Sequence, residues 1–297
     1  MAVAQGTENT AMPQTVVTEN AGSAVAASPR RAGARRGLPT AVNLAAFGVA
    51  VLAVWHLIAI SGLVPPILFP GPVDVAQETW RTVVGMATGD HVLESLWITT
   101  SEILLGFVLA ILVGFLLGCL VGETKFGTNV VMPYLVAINV MPKVAFAPVF
   151  VAWFGFGISS KVVMAAFIAF FPIIVDTAAG LASVERNKLM LFQSLGASRW
   201  QTLLKLKLPG ALPHIFAGVK TAAVLVVVGA VVGEYLGGGN GLGELIKLSA
   251  SQLRLDRVFA MIIFLSVVGL LLYALVGRIE RKVVFWRHSS HFEINGS

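Results

Sequence analysis

Few side chains in this sequence could carry out chemistry, and the most notable stand inside long apolar runs. Lys143 lies among prolines in one such run, with Asn139 one helical turn before it, and Glu234 lies near the end of another. An ionised group among apolar residues is costly unless it is paired or serves a polar ligand. We therefore take Asn139, Pro142, Lys143 and Glu234 as candidates for contact with a polar ligand. Pairing inside the protein is the alternative for both charged residues.

Enzymatic chemistry has no comparable support. The five histidines are scattered, and His288 and His291, which share a helical face, lie in a polar tail that suits a metal site poorly. No nucleophile and base stand at a spacing that would join them. Gly239-x-Gly241-x-Gly243 resembles a dinucleotide-binding fingerprint, but it follows an apolar run rather than a strand, so we interpret it as a flexible turn. We expect no catalytic residue, no metal site and no cofactor.

The composition places these residues in a membrane protein. Of the 297 residues, 57% are hydrophobic and 12% are charged, and a charged fraction of about 25% is usual in soluble domains. A water-soluble fold of this length cannot bury so much apolar surface. The net charge of +6 could indicate a nucleic-acid partner, but the basic residues sit in short segments between apolar runs, so we expect lipid and no nucleic acid. The single cysteine, Cys119, excludes an internal disulfide.

Six segments approach or reach the length of a membrane-spanning helix, about 20 mainly apolar residues. They are Thr40–Ile60, Leu96–Val121, Val130–Phe154, Val162–Leu181, Ile215–Tyr235 and Val258–Val276. The third contains Pro133, Pro142 and Pro148 and is predicted to be kinked or broken. A short amphipathic helix is predicted over Val73–Val84. The sequence thus predicts an all-α membrane protein with six transmembrane helices.

The distribution of Lys and Arg predicts the orientation. If the amino terminus is cytoplasmic, basic residues of the inner segments outnumber those of the outer segments by fourteen to five. This excess favours a multi-pass protein of the cytoplasmic (inner) membrane with both termini in the cytoplasm. The inner residues are Arg30, Arg31, Arg35, Arg36, Lys125, Arg186, Lys188, Arg199, Lys205, Lys207, Arg278, Arg281, Lys282 and Arg287. The outer residues are Arg81, Lys161, Lys247, Arg254 and Arg257.

The chain divides into regions of different character. Residues 1–38 are rich in Ala, Thr, Gly, Ser and Pro and are predicted to form a disordered cytoplasmic tail. An export signal there is the alternative, but the apolar run that follows is too long for one. Residues 39–90 hold the first helix and an outer amphipathic segment, residues 91–285 form the main transmembrane domain, and residues 286–297 form a second cytoplasmic tail.

One inner segment, Ser183–Pro213, is long, polar and basic. Apolar residues recur at helical spacing before Gly196, which predicts a short helix that ends at a glycine with positive φ. Ser198 can cap a second short helix, which Leu208-Pro209 would end. We predict two amphipathic helices that project into the cytoplasm and fit a groove on another protein. A hairpin lying on the lipid is the alternative.

The spacing within this segment is distinctive. Gly196 is followed after nine residues by Leu206 and, one residue later, by Leu208-Pro209. This arrangement resembles the cytoplasmic loop of ABC importer permeases with the type I transmembrane fold, whose pattern is Glu-Ala-Ala, three residues, Gly, nine residues, Ile, one residue, Leu-Pro. The chain departs from the pattern where Glu-Ala-Ala would lie, since it has Met190, Leu191 and Phe192 there.

Other motifs narrow the resemblance, which extends from about His91 to Phe285. Met141–Pro148, Trp153–Gly157 and Gly241–Gly243 are similar to the nitrate, sulfonate and taurine branch of these permeases. The Pro-Lys-Val-Ala form at residues 142–145 is also similar to permeases for pyrimidine precursors of thiamine or for riboflavin. The resemblance therefore implies an importer of a small organic or anionic solute, with these two cargo classes as alternatives.

The resemblance also implies partners and a mechanism. It implies a homodimer of this chain, cytoplasmic ATP-binding subunits and an extracytoplasmic substrate-binding protein, with ATP driving alternating access. The sequence contains no Gly-x-x-x-x-Gly-Lys-Ser/Thr, so we expect ATP hydrolysis on a separate chain and no enzyme here. The implied ATPase-coupling loop comprises Met190, Leu195, Gly196, Arg199, Trp200, Leu206, Leu208 and Pro209. The candidates for the implied translocation pathway are Asn139, Pro142, Lys143 and Glu234. An ATP-independent secondary transporter or channel is the alternative from another class.

Overall fold

The computed structural model describes residues 40–89 and 91–286, so the tail predicted over residues 1–38 and nearly all of the tail predicted over residues 286–297 lie outside the described residues. Throughout these two ranges the regular structure is helical, with no strand. Spatial contacts divide the chain into two units, residues 1–48 and 49–297. In the first unit, the described residues from position 40 are helical, and those from position 42 are exposed.

The described residues form eleven α-helices. These are α1 Thr40–Ile60, α2 Pro72–Ala87, α3 Val92–Glu123, α4 Met132–Val140, α5 Ala147–Phe154, α6 Ile158–Ala182, α7 Arg186–Ser194, α8 Arg199–Thr202, α9 Leu208–Gly237, α10 Leu242–Ser251 and α11 Leu255–Val283. A π-helical segment, Gly127–Val131, precedes α4, and a second, Leu203–Lys207, joins α8 to α9. A 3₁₀ turn, Lys143–Phe146, precedes α5.

Within the described ranges, five helical segments are long and apolar enough to cross a membrane: α1, α3, α6, the continuous stretch Arg199–Gly237, and α11. The remaining predicted span consists of two helical halves, Gly127–Val140 and Lys143–Phe154, which are bent by 85° relative to each other. The bend lies at Met141 and Pro142, where the extended backbone of Met141 suits the residue before a proline. The predicted all-α architecture and the predicted break in the third span are both confirmed.

Helix α6 packs most extensively against α9 and α3. Glycines let α3 and α6 approach closely, since a Cβ added at Gly114 would lie 2.8 Å from the Cβ of Ile173. A Cβ at Gly118 would lie 2.6 Å from the Cβ of Thr177. Small side chains at such a seam let two membrane helices gain dispersion contacts along their length. The main apolar core forms where these three helices meet.

Of the two peripheral helices α2 and α10, only α2 was predicted from the sequence. The amphipathic helix predicted over Val73–Val84 is confirmed as α2, which buries Val75 and packs against α11. Helix α10 was not predicted from the sequence. It begins directly after a glycine-rich turn and directs Leu242, Leu245 and Ile246 into a core cluster with α11.

The prediction that Leu208-Pro209 ends the second short helix is wrong. Helix α8 continues through Leu203–Lys207 into α9. The Leu208 N–H donates to the Leu203 carbonyl across the π-helical turn, so the helical hydrogen bonds continue. Pro209 directly follows this π-helical turn, near the start of α9, and the changed hydrogen-bond pattern of the turn accommodates a residue without an N–H.

Candidate functional site

Helices α7 and α8 form a hairpin around a glycine turn. Gly196 has φ of +71°, and its N–H donates to the Gln193 carbonyl at 3.0 Å. The Ala197 N–H donates to the Phe192 carbonyl, also at 3.0 Å. This pair of bonds is a Schellman motif, which satisfies the last carbonyls of α7 and fixes the direction of the chain. The predicted glycine turn with positive φ is confirmed.

The start of α8 is fixed in turn by Ser198. Its hydroxyl accepts a hydrogen bond from the Gln201 N–H at 3.2 Å, and the Gln201 side-chain oxygen accepts one from the Ser198 N–H at 2.9 Å. This reciprocal capping box satisfies two N–H groups that a helix terminus leaves free. The predicted cap is therefore confirmed, and the α7–α8 hairpin is held at both sides of its turn.

The hairpin exposes large apolar side chains. Leu195 is 74% exposed and Trp200 is 67% exposed, and Met190 is also exposed. Trp200 and Arg199 line an apolar groove of about 480 Å³ together with the end of α3. The other predicted coupling residues, Leu206, Leu208 and Pro209, lie further along the continuous helix and are half-buried. The eight residues thus form an exposed hairpin and a half-buried stem.

The break in the third span brings three of the predicted pathway residues together. Lys143 donates a hydrogen bond from Nζ to Asn139 Oδ1 at 2.6 Å, with Pro142 between them in the chain. The same ammonium lies 4.8 Å from the ring centroid of Phe171, within the range of a cation–π interaction. An amide and a cation therefore lie side by side at the bend, and the cation packs on a buried aromatic ring.

Glu234 belongs to a different cluster, which forms at the end of the bundle away from the α7–α8 hairpin. Its carboxylate is fully buried and accepts hydrogen bonds from Thr99 Oγ1 at 2.6 Å and from the Gly243 N–H at 2.5 Å. Beside it, Lys161 Nζ lies 3.1 Å from Glu102 Oε1 and donates to the Asn240 carbonyl at 3.2 Å. This cluster joins α3, α6 and α9 to the turn before α10.

Two members of this cluster were missed or misplaced by the sequence analysis. Thr99 carried no signal of its own, and Lys161, counted among the outer basic residues, lies in the first turn of α6 with a side chain only 5% exposed. Glu102 and Thr99 lie three residues apart on one face of α3, a spacing that could have marked a polar patch facing the bundle. Their partners are distant in sequence, so no local pattern identifies the pairs.

Metal binding has no structural support in the described ranges, where no group of three or more His, Cys, Asp or Glu side chains could hold a metal ion.

Comparison with known proteins decides the family. The sequence profile described as "Binding-protein-dependent transport system inner membrane component" matches residues 98–285. The chain belongs to this family. The family is the membrane component of ABC importers, which pair with ATP-binding and substrate-binding proteins. This permease thus has the family membership that its loop spacing predicted.

Relatives of the permease are named for the transport of several different solutes. It is 36% identical over 254 residues to the riboflavin transport system permease protein RibX of Chloroflexus aurantiacus, which covers 85% of this chain and 91% of that protein. It is 34% identical over 241 residues to the formylaminopyrimidine transport permease protein ThiX of Halalkalibacterium halodurans, covering 81% and 94%. Permeases named for sulfonate, taurine and nitrate transport match at 31%, 29% and 30% identity. The similarity to this branch and to its heterocycle-transporting members is confirmed.

A solved structure of the MetNI methionine ABC transporter, in an inward-facing conformation, contains a chain similar in fold to the permease. The TM-score is 0.57 at 19% sequence identity, and the match covers 65% of this chain and 95% of that chain. The predicted type I ABC permease fold is confirmed by this likeness together with the family match.

Proposed function

We propose that two copies of this permease form the pathway of an ATP-driven importer for a small heteroaromatic solute. In this proposal the α7–α8 hairpin docks ATP-binding subunits in the cytoplasm, both termini are cytoplasmic, lipid surrounds the dimer, and a substrate-binding protein delivers cargo from outside. ATP is hydrolysed on the docked subunits, and this chain supplies the pathway.

The observation that carries the proposal is the exposed, doubly fixed hairpin. Leu195 and Trp200 project from a turn whose Schellman motif and capping box hold it in one shape. A preorganised knob loses little conformational entropy when it enters a groove, and a buried aromatic anchor can dominate such an interface. Continuity of α8 with α9 would carry any movement of the knob directly into a membrane span. A hairpin lying on lipid has no need of that continuity.

The basic residues support the orientation. The hairpin and its stem carry Arg186, Lys188, Arg199, Lys205 and Lys207. Such a concentration next to membrane spans is typical of the cytoplasmic side. Burial of Lys161 removes one basic residue from the outer segments, which leaves the excess of inner basic residues larger.

The cargo class rests on the relatives and on the bend at Pro142. RibX and ThiX are named for transport of riboflavin and of a formylaminopyrimidine, and both solutes are nitrogen heterocycles. The Asn139 amide and the Lys143 ammonium lie together at the bend, where their N–H groups can donate hydrogen bonds to the carbonyl and ring-nitrogen acceptors of such a heterocycle. Phe171, which packs against the ammonium, is only 2% exposed and fixes the position of Lys143 rather than contacting cargo. The half-buried Lys143 ammonium also supports a second candidate cargo, a small anion such as a sulfonate or nitrate, with which it could form a charge-assisted hydrogen bond.

The test is uptake in proteoliposomes that contain the permease, the ATP-binding subunits that co-purify with it and its substrate-binding protein. We expect ATP to drive uptake of labelled riboflavin or formylaminopyrimidine, and not of taurine or nitrate. A matched preparation whose ATP-binding subunits lack the phosphate-binding Lys should show no uptake. ATP-driven uptake of taurine or nitrate alone would overturn the cargo class. Uptake driven by an ion gradient without ATP would overturn the importer mechanism.

A further inference from the structure

The cluster around Glu234 fastens the glycine-rich turn that precedes α10. The turn runs from Gly238 to Gly241, and we call it the glycine loop. Gly238, Gly239 and Gly241 have φ of +65°, +92° and +154°, conformations that side-chain-bearing residues rarely adopt. A glycine-rich segment loses more backbone entropy on ordering than any other, so its order must come from specific contacts.

Three hydrogen bonds supply those contacts. Lys161 Nζ donates to the Asn240 carbonyl at 3.2 Å, the Leu242 N–H donates to Thr99 Oγ1 at 2.8 Å, and the Gly243 N–H donates to Glu234 Oε2 at 2.5 Å. Each joins the loop or the first turn of α10 to a side chain of α3, α6 or α9. The backbone approaches so closely that a Cβ at Gly241 would collide with the Glu234 carboxylate.

The fastening side chains position one another. Thr99 Oγ1 donates to Glu234 Oε1, and Glu102 Oε1 lies 3.1 Å from Lys161 Nζ. The Glu102 and Lys161 side chains are 1% and 5% exposed, so the pair is almost fully desolvated. Removing one partner of such a pair leaves a buried charge and is costly, whereas well-packed apolar residues could hold helices together at least as well. A polar, directional fastening suits a contact that must break and re-form.

We infer that this cluster is a latch: it holds the glycine loop against the bundle when nucleotide is absent, and the loop is released when ATP drives the permease outward. Glu234 contacts the loop directly, Thr99 and Lys161 are positioning residues of the latch, and Glu102 orients Lys161. The inference rests on the proposed function, because the release is tied to ATP.

The test is hydrogen–deuterium exchange of the complete transporter in lipid nanodiscs, with and without ATP trapped by vanadate. In the wild-type protein, peptides that cover residues 238–245 should exchange slowly without nucleotide and at least about tenfold faster in the trapped state, since the bonds of Leu242 and Gly243 open. Thr99→Val keeps the side-chain shape but removes both the acceptor of the Leu242 N–H and the donor to Glu234, and it should give fast exchange in both states. ATP hydrolysis should continue in this variant, while cargo uptake falls at least about tenfold.

Two further variants separate positioning from general destabilisation. Thr99→Ser keeps the hydroxyl and should restore slow exchange and uptake. Thr177→Val makes the same substitution at another fully buried threonine, whose hydroxyl has no hydrogen-bond partner among the described residues, and should leave exchange of the loop unchanged. Should Thr99→Val not assemble, Glu234→Gln, which keeps the side-chain size, replaces it in the same comparison.

The latch is overturned if loop exchange in the wild-type protein is the same with and without ATP, or if Thr99→Val exchanges like the wild type. Failure of the proposed function looks different. In that case wild-type uptake does not respond to ATP at all, whereas failure of the latch alone leaves ATP-driven uptake intact.

Discussion

At Gly196 the backbone conformation alone determines which residues can stand there. A Cβ at this position would meet no atom within 4 Å, so any cost of substitution comes from its φ of +71°. For a β-branched residue this cost is about 1–2 kcal/mol or more, which is enough to redirect the chain. We predict that Gly196→Val leaves the spans inserted, weakens co-purification of the ATP-binding subunits and lowers ATP-driven uptake at least about tenfold.

The matched control for this prediction is Gly157→Val. Gly157 also has no atom within 4 Å of an added Cβ, but its φ of −114° is open to any residue. Co-purification and uptake should both persist there. Normal subunit binding and normal uptake in Gly196→Val would show that the α7–α8 hairpin does not couple the permease to the ATP-binding subunits.

Substitution of Lys143 tests whether this side chain contacts the cargo. Its ammonium is held by Asn139 and lies over Phe171, so it is positioned without a carboxylate partner among the contacts of the described residues. Lys143→Met keeps the length of the chain and removes the charge. We expect cargo uptake to fall at least about fivefold with unchanged yield of assembled transporter, as measured by size-exclusion chromatography and uptake.

Lys247→Met, at an exposed position of α10, provides the control for removal of a single positive charge. Loss of folded protein in Lys143→Met would assign Lys143 a structural role. Wild-type uptake would exclude it from the pathway.

The residues on which the proposals rest differ in how far a sequence can reveal them. Gly196 and Ser198 could be predicted because a glycine turn and a capping box are patterns of near neighbours. Lys143 could be selected as a candidate because a lone charge is conspicuous in an apolar run, and its role stays a prediction. Thr99 and Lys161 could not be placed, since their partners lie on other helices and only the packing of α3, α6 and α9 brings them together.

At the scale of single elements, the seam between α3 and α6 is the most sensitive to added volume. A methyl group at Gly118 would lie 2.6 Å from the Thr177 Cβ and 3.0 Å from the Ile174 carbonyl oxygen. Gly118→Ala must therefore push two helices apart, and overpacking of this kind costs about 1–3 kcal/mol. We predict a lower thermal unfolding midpoint for the detergent-purified permease.

Gly269→Ala is the comparison for this effect. An added Cβ there would lie 3.4 Å from the nearest atom, on Val227, which is ordinary van der Waals contact. Its unfolding midpoint should be unchanged or higher, because alanine favours helix more than glycine does. An equal midpoint for Gly118→Ala and the wild type would show that the seam can relax.

Helix boundaries could be predicted from the sequence only where near-neighbour residues determine them, without contacts from other helices. Pro209 is a helix breaker by its own chemistry, yet the π-helical turn before it lets α8 and α9 continue through it. Helix α10 went unpredicted because its apolar stripe is short and the preceding glycines suggested only a turn. Its position depends on apolar packing against α11 and on the hydrogen bonds of Leu242 and Gly243 to α3 and α9, and contacts between separate helices leave no local pattern in the sequence.

At the scale of the whole molecule, the proposed orientation in the membrane predicts which of two exposed serines faces the outside. Ser251, at the end of α10, and Ser194, at the end of α7, are both exposed. In a background with Cys119→Ser, we predict that Ser251→Cys is labelled by a membrane-impermeant maleimide on intact cells. Ser194→Cys should be labelled only after the cells are opened. The reverse pattern would invert the topology and place the hairpin outside.

The continuous stretch from Arg199 to Gly237 has a mechanical consequence. Its 39 residues extend over about 58 Å, with Trp200 near one end and Glu234 near the other. A lever of that length that tilts by about 10° around its midpoint moves each end by roughly 5 Å, comparable to one helical turn. A displacement of Trp200 at one membrane surface would therefore be reproduced in the opposite direction at the glycine loop, with no chain of intermediate side chains needed to relay it.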